Sequence, residues 1–267
     1  MYELKKDGRM LEYGLTKAYP DVYCFSTSRH GGCSRGAYAS FNCNPYCGDA
    51  PEDTERNQAL LRSLMPAPPE CMAIPRQVHG TEIRAIGKDF PEKTEAERAA
   101  LLEGVDALVS DRPQICLCIS TADCIPVMCY DTRLNVIAAI HAGWRGTAAR
   151  ITEKTLREMA RLYGTKGEDV AACIGPGISQ EAFEVGDEVY EAFRKEGLDM
   201  ERIASRREKW HIDLQEANRI QLLASGIRPA NIEQTGICTY GNPADFFSAR
   251  RLGIRSGRIL SGIMRLK

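Results

Sequence analysis

The stretch NVIAAIHAGWRGTAAR, Asn135–Arg150, decides how this chain is read. Its first half is continuously apolar up to His141, the pattern of a strand covered on both faces. Its second half turns on Gly143 and reads as a helix start. Thr147 is the expected N-cap, and Ile151, Thr155, Met159 and Leu162 fall on one helical face. A strand that feeds a glycine turn and then a helix is the building unit of an α/β protein, and sites gather where such strands end. His141 sits at that junction, followed by Arg145 and Gly146.

Working outward, similar runs recur. Asp21–Thr27, Cys71–His79, Val105–Ser110, Ile115–Thr121, Pro126–Asp131, Val170–Gly175 and Glu233–Thr239 all read as strands. Helical spacing covers Asp53–Leu64, after Pro51, and Asp213 to Ala224, with Ala217, Ile220 and Leu223 inward. A further helix is expected after the turn Gly175–Ser179, capped by Ser179 and carrying Phe183, Val189, Tyr190 and Phe193. Met65–Glu70 (MPAPPE) is a stiff connector, and the charged, alanine-rich segment Asp89–Glu103 lies over the surface. No repeat, low-complexity tract or linker divides the chain. The expectation is one domain over residues 1–267 with an α/β (α+β-like) fold, a mixed sheet flanked by helices.

Composition narrows the function. Of 267 residues, 43% are hydrophobic, and a chain of that length buries about three-quarters of its unfolded surface. The formal net charge of -1 offers no general attraction to nucleic acid or to an anionic membrane. No run approaches the roughly 20 apolar residues of a membrane span, and the first residues lack the apolar stretch of a signal peptide. Eleven cysteines, odd in number and irregular in spacing, predict free thiols in a reducing compartment, hence the cytoplasm. Cys116, Cys118 and Cys129 lie in apolar runs as small core residues.

The chemistry concentrates in a few motifs. Only four histidines are present, and two of them, His79 in RQVHG and His141 in IHAGWRG, precede glycine turns at expected strand ends. Between them STADCIPV places Cys124 after Asp123. Two imidazoles and a thiolate suit zinc, and three protein ligands leave a fourth position open. The same three residues also suit a hydrolase with Cys124 as nucleophile and one histidine as base. Residue types alone leave the two readings level. Anion recognition has its own candidates. Arg29 and Arg35 lie in the glycine-rich stretch STSRHGGCSRG, and Arg145 and Gly146 stand at a helix start. Arg250, Arg251, Arg255 and Arg258 form a basic cluster that reads as a solvated tail or a wall of the same site. Neither a dinucleotide fingerprint nor a phosphate-binding lysine loop is present.

In order along the chain, TSRHGG, RQVHG, VDALVS, TADCIPV, HAGWRGT, IGPGIS with FEVG, DLQEANRIQL, and CTY with FFSARR and SGR resemble the laccase-domain, or multicopper polyphenol oxidoreductase-like, family over about residues 20–262. The resemblance implies a fold related to the cytotoxic necrotizing factor catalytic domain. It implies zinc on His79, Cys124 and His141, which would also be the catalytic residues. It implies phosphorolysis of adenosine, inosine or guanosine to base and ribose 1-phosphate, with adenosine deamination and methylthioadenosine phosphorolysis alongside. Arg29, Arg145 and Gly146 are the matching candidates for phosphate. Peptidoglycan precursor editing is a different role linked to the same scaffold, and purine or metal binding without turnover is a third. Multicopper oxidation conflicts with the count, because four histidines cannot supply several copper clusters. The zinc deaminase signature HxE…PCxxC is also missing, so any deamination needs another arrangement. The family's FNLG is FNCN here (Phe41–Asn44), a cysteine of the GP turn is Gly177, and an aromatic before the arginine pair is Ala249. These departures bear on the substrate pocket.

Overall fold

The computed structural model describes residues 2–267. Its strands are β1 (Met10–Glu12), β2 (Val22–Thr27), β3 (Cys71–Ala73), β4 (Ile83–Ala85), β5 (Ala107–Ser110), β6 (Ile115–Thr121), β7 (Ile125–Asp131) and β8 (Val136–Ala142), then β9 (Val170–Ile174), β10 (Glu184–Val185), β11 (Ala204–Arg206), β12 (Trp210–Ile212), β13 (Ile232–Gln234) and β14 (Ile259–Arg265). The helices are α1 (Gly14–Ala18), α2 (Pro51–Leu64), α3 (Glu95–Leu102), α4 (Trp144–Ala148), α5 (Ile151–Tyr163), α6 (Asp187–Lys195), α7 (Met200–Ile203), α8 (Leu214–Ala224) and α9 (Ala249–Leu252).

The expected mixed sheet is realised as two large sheets and one small one. A five-stranded sheet runs β1-β2-β14-β6-β3, and a six-stranded sheet runs β13-β9-β7-β8-β5-β4. Both contain parallel and antiparallel pairs. A three-stranded sheet, β10-β12-β11, lies apart from them.

Alternation along each strand explains the layers. In β8, Ile137 and Ala139 share a core with Leu117 and Ile119 of β6, and with Val22 and Ile263 of the other sheet. Val136, Ala138, Ile140 and Ala142 point the other way, onto Ile151 and Met159 of α5 and Ala217 and Leu222 of α8. In β6, Cys116 and Cys118 face Leu61 of α2, Phe25 and Met264. The order through the molecule is therefore helix, sheet, sheet, helices. Strands between two packed layers have no polar face, which is why their sequences read as unbroken apolar runs.

Several expectations shift. Cys71–His79 is a strand only to Ala73; Pro75 follows soon after, and His79 has φ +63° in a loop. Glu233–Thr239 forms a strand only as far as Gln234. The helix after the Gly175–Ser179 turn begins at Asp187, with Gly186 rather than Ser179 at its N-cap position. Phe183 precedes it. Helix α5 does not start from Thr147. A short helix, α4, begins after Gly143, and Arg150 at φ +61° breaks it from α5. Thr147 lies inside α4 and accepts a hydrogen bond from the buried Asn218 amide at 3.1 Å. Leu162 is exposed, beyond the buried face of α5. In α8, which Asp213 caps by accepting from the Glu216 N–H, the inward polar residues Asn218 and Gln221 tie the helix to Thr147, and Ile220 and Leu223, both expected inward, are only half-buried.

Strand β14 has no counterpart in the reading of the sequence, although it lies between β2 and β6 at the centre of its sheet. Ser261 and Gly262 interrupt its apolar pattern for a packing reason. A Cβ on Gly262 would lie 2.7 Å from the Phe25 ring and 3.2 Å from Cys116 Sγ. Among the described residues, no helix is long and apolar enough to cross a membrane. Leu117 is fully buried between the two large sheets. Leu117→Ala should destabilise the fold by about 2–5 kcal/mol, the cost of lost transfer energy plus a cavity, read from the urea midpoint at unchanged slope.

Candidate active site

Sheet register brings the site together. In the β7–β8 pair, Ile125 faces Ala142 and Pro126 faces His141. Cys124, just before β7, and Gly143, just after β8, therefore meet at the same end of the sheet. In the β5–β8 pair, Ala107 faces Ile140, which puts Asp106 beside His141. The His141 N–H donates to the Asp106 carbonyl at 2.8 Å, and the His141 ring donates or accepts through Nδ1 at Asp106 Oδ1, also 2.8 Å away. With the carboxylate ionised, Nδ1 is the donor, so Nε2 is left as the ligand atom.

His79 reaches the same place from its loop. The Asp106 carboxylate accepts the backbone N–H groups of His79 at 2.9 Å and Gly80 at 2.7 Å, and of Val78 at 3.4 Å. One side chain therefore orients the His141 ring and fixes the backbone that carries His79. The ligand atoms of His79, Cys124 and His141 all lie within 4.8 Å of one another, with the two imidazoles edge-to-face. Gly143 forms the floor. A Cβ there would stand 3.0 Å from His79 Cδ2 and 3.2 Å from Cys124 Sγ.

The electrostatics follow from this packing. Burial alone would push the Cys124 thiol up, but the imidazoles of His141 and His79 outweigh it and hold the thiol down at about 6. For His141, burial favours the neutral ring; the Cys124 thiolate and the Asp106 hydrogen bond oppose that and raise it to about 9. Asp106 is itself buried, which would raise it, yet His141 and the N–H groups of Gly80 and His79 keep it below the ordinary aspartate value. Sequence reasoning passed over Asp106. Its signal was an acid at the head of the apolar run VDALVS, where a charge has no reason to be buried unless it is paired.

The three residues open into a cavity of about 660 Å³, within the size range of small-molecule sites. Arg145 lines it, with its guanidinium 4.3 Å above the Trp144 ring. Arg250 and Arg258 line it too, so the C-terminal basic cluster supplies a wall. Arg29 is not brought to the cavity. It donates to the carbonyls of Ala39 and Pro243 and lies over Phe247. Gly146 is also outside the lining; it is buried in α4, where a Cβ would stand 3.0 Å from the Gly80 carbonyl oxygen. Asp123 uses its carboxylate structurally, accepting from Thr239 Oγ1 and from the Arg250 N–H, each at 2.7 Å. Gly177 packs against the Asp123 and Cys124 carbonyls, and Ala249 opens part of the cavity wall. The other two histidines lie elsewhere, His30 on Asp245 and His211 on the Gln180 carbonyl.

Two packed mixed sheets with a His–Cys–His cluster at one sheet end, able to hold a metal and open to a basic cavity, define the class of protein. The comparisons then place it: the chain belongs to the multi-copper polyphenol oxidoreductase laccase family, whose profile matches residues 23–266. It is 55% identical over 267 residues to a protein of Bacteroides thetaiotaomicron named purine nucleoside phosphorylase, with 99% of each chain covered. It is 39% identical to adenosine deaminase RL5 from an unknown prokaryotic organism, covering 94% of this chain and 97% of that one. The crystal structure of YlmD from Geobacillus stearothermophilus superposes with a TM-score of 0.90 at 28% identity, over 100% of this chain and 99% of the other.

The charge arrangement has a direct readout. In protein stripped of metal, alkylation of Cys124 by iodoacetamide, followed by mass spectrometry, should rise with pH through an inflection near 6. His141→Asn should move that inflection upward. An inflection that stayed put would show that the imidazole does not set the thiol.

Proposed function

We propose that this protein is a zinc-dependent purine nucleoside phosphorylase acting in the cytoplasm on adenosine, inosine or guanosine. The observation that carries the reading is the convergence of His79, Cys124 and His141 on one cavity that also holds arginine. The donor set fits zinc: two imidazoles, a thiol already biased toward thiolate, and a carboxylate behind one ring. The floor at Gly143 leaves the space among the three donors free of a Cβ. Several copper centres do not fit, since the two remaining histidines are committed elsewhere. The cytoplasmic assignment is supported by eleven cysteines, none of them in a disulfide.

Zinc held by these three residues would supply positive charge and an open position that favours an anionic partner. The chain's own residues do the rest. Asp106 keeps His141 Nδ1 occupied and Nε2 aimed at the site. Arg145, without a carboxylate partner among the described residues, attracts and orients phosphate. Phe183, Ile178 and Trp144 give the purine an apolar wall. Phosphate oxygen then bonds to C1′ as the glycosidic bond breaks, and the purine leaves with a proton. Adenosine deamination would use the same cavity with water in place of phosphate, and the likeness to a protein named adenosine deaminase supports testing it.

The depressed Cys124 favours one other reading, a cysteine hydrolase acting on an amide such as a peptidoglycan precursor. Chelation should then spare activity and alkylation abolish it. For the leading reading, purified protein given adenosine and phosphate should release adenine and ribose 1-phosphate, resolved by chromatography. His79→Ala and His141→Ala should each lose bound zinc, and turnover should fall by more than the roughly 10–100-fold that changes to the partners behind metal ligands cost. Stoichiometric zinc in both variants would end the ligand assignment. Gly143→Ala should lower zinc content, measured by elemental analysis, while leaving the thermal midpoint of the metal-free protein little changed.

A further inference from the structure

The cavity carries more positive charge than its surroundings neutralise. Three arginines line it, Arg145, Arg250 and Arg258, against one carboxylate, Asp123. That carboxylate is spent on Thr239 and on the backbone of Arg250. Elsewhere arginines pair freely with acids, as Arg133 does with Asp169, Arg161 with Glu158 and Arg206 with Asp187. The cavity arginines have no such partner among the described residues. Carbonyl groups hold two of them instead. Arg250 donates from both terminal nitrogens to the Glu184 carbonyl, at 3.2 and 3.3 Å. Arg258 donates to the carbonyls of Ile254, Ser256 and Gly257 at 2.6 to 3.0 Å. Carbonyl contacts orient a guanidinium without cancelling its charge, and each head retains N–H groups for a further acceptor.

Both arginines are also tied to the site. The Arg250 N–H is held by the side chain of Asp123, next to Cys124. The Arg258 N–H is held by Asn42 Oδ1 at 3.0 Å, from the FNCN segment whose Asn44 lines the cavity. The cavity lining also contains one unsatisfied hydroxyl. Ser120 lines the cavity at 6% exposure, and its hydroxyl is buried without a partner. The Ser120 backbone is clamped by Gln77, which accepts from its N–H at 2.7 Å and donates to its carbonyl at 2.9 Å.

We propose that Arg250 and Arg258 complete, with Arg145, an oxyanion subsite for inorganic phosphate, and that they set the affinity for phosphate rather than for the nucleoside. The proposal rests on the phosphorolysis reading for its biological meaning, not for its physical test. Two carbonyl-held cations together with Arg145 suit a dianion, and forked guanidinium donors match phosphate oxygens. In the transfer, one phosphate oxygen forms the bond to C1′, the bond from C1′ to the purine nitrogen breaks, and the electron pair leaves with the base; no oxidant or reductant is involved.

The test compares the wild type with Arg250→Gln, Arg258→Gln and Arg258→Lys, using Arg255→Gln outside the cavity as a control for lost charge. Inorganic phosphate binding is measured by calorimetry on the metal-loaded protein, and the Michaelis constants for phosphate and adenosine are measured separately. Each glutamine variant should weaken phosphate binding and raise its Michaelis constant by about tenfold, corresponding to loss of about 1.4 kcal/mol, with the adenosine constant within about twofold. Arg258→Lys, which keeps the charge, should recover part of the loss and guards against a folding defect in the loop. Unchanged phosphate binding in both glutamine variants, or an equal loss in Arg255→Gln, overturns the subsite. Phosphate should bind alongside adenosine; tight binding of adenosine 5′-monophosphate with none of free phosphate also overturns it. A wild type that binds phosphate through these arginines yet makes no ribose 1-phosphate refutes phosphorolysis and leaves the subsite standing.

Discussion

The buried carboxylate of Asp106 is the contact on which the site depends. An unpaired carboxylate at 0% exposure would be costly, and this one is satisfied by three backbone N–H groups and one imidazole. Those partners belong to segments remote in sequence: the loop around His79 and the strand end at His141. Folding therefore has a reason to bring them together that is independent of any metal or substrate. The arrangement also fixes the His141 tautomer through its Nδ1 contact, so the ring's direction is settled before anything binds.

The scaffold supplies what Asp106 needs. Strands β5, β7 and β8 are adjacent in one sheet, and their register puts Asp106, Cys124 and His141 at neighbouring positions at one end of it. Apolar layers on both faces hold that register, because a slip by one residue would turn each strand's side chains onto the wrong core. His79 comes from a loop remote from these strands, and its left-handed φ costs about 1 kcal/mol for a residue with a Cβ. The hydrogen bond from its N–H to Asp106 offsets that cost.

The legible parts of the sequence were those governed by local rules. The two-sided strands stood out as apolar runs, and helix α8 as a stretch of helical spacing from Asp213 to Ala224. The α/β class and the grouping of His79, Cys124 and His141 came from those runs and their motif neighbours. The obscured parts depended on tertiary packing. Gly262 breaks the pattern of β14 because Phe25 needs the space, and Arg150 breaks the helix after Gly143 by taking φ +61°. Arg29 and Arg145 looked equivalent as glycine-flanked cations, but only the fold shows one satisfied by carbonyls away from the cavity and the other facing into it. Arg250 and Arg258 could not be distinguished from a solvated tail without knowing what helix α9 and the segment after it pack against.

The same electrostatics serve a metal ligand and a nucleophile, so the lowered Cys124 thiol does not by itself separate the two. The geometry supports the metal reading proposed above. A cysteine nucleophile needs one imidazole as base and an acid behind it, a role that Asp106 and His141 already fill. It has no use for a second imidazole held at a costly backbone angle by the same carboxylate. A metal does, because it requires several donors converging on one point. Two histidines, one thiol and a glycine floor without a Cβ are more than general-base chemistry requires and match a three-residue ligand set with one open side. The cation-rich wall on that open side suits the anionic co-substrate of the proposed phosphorolysis.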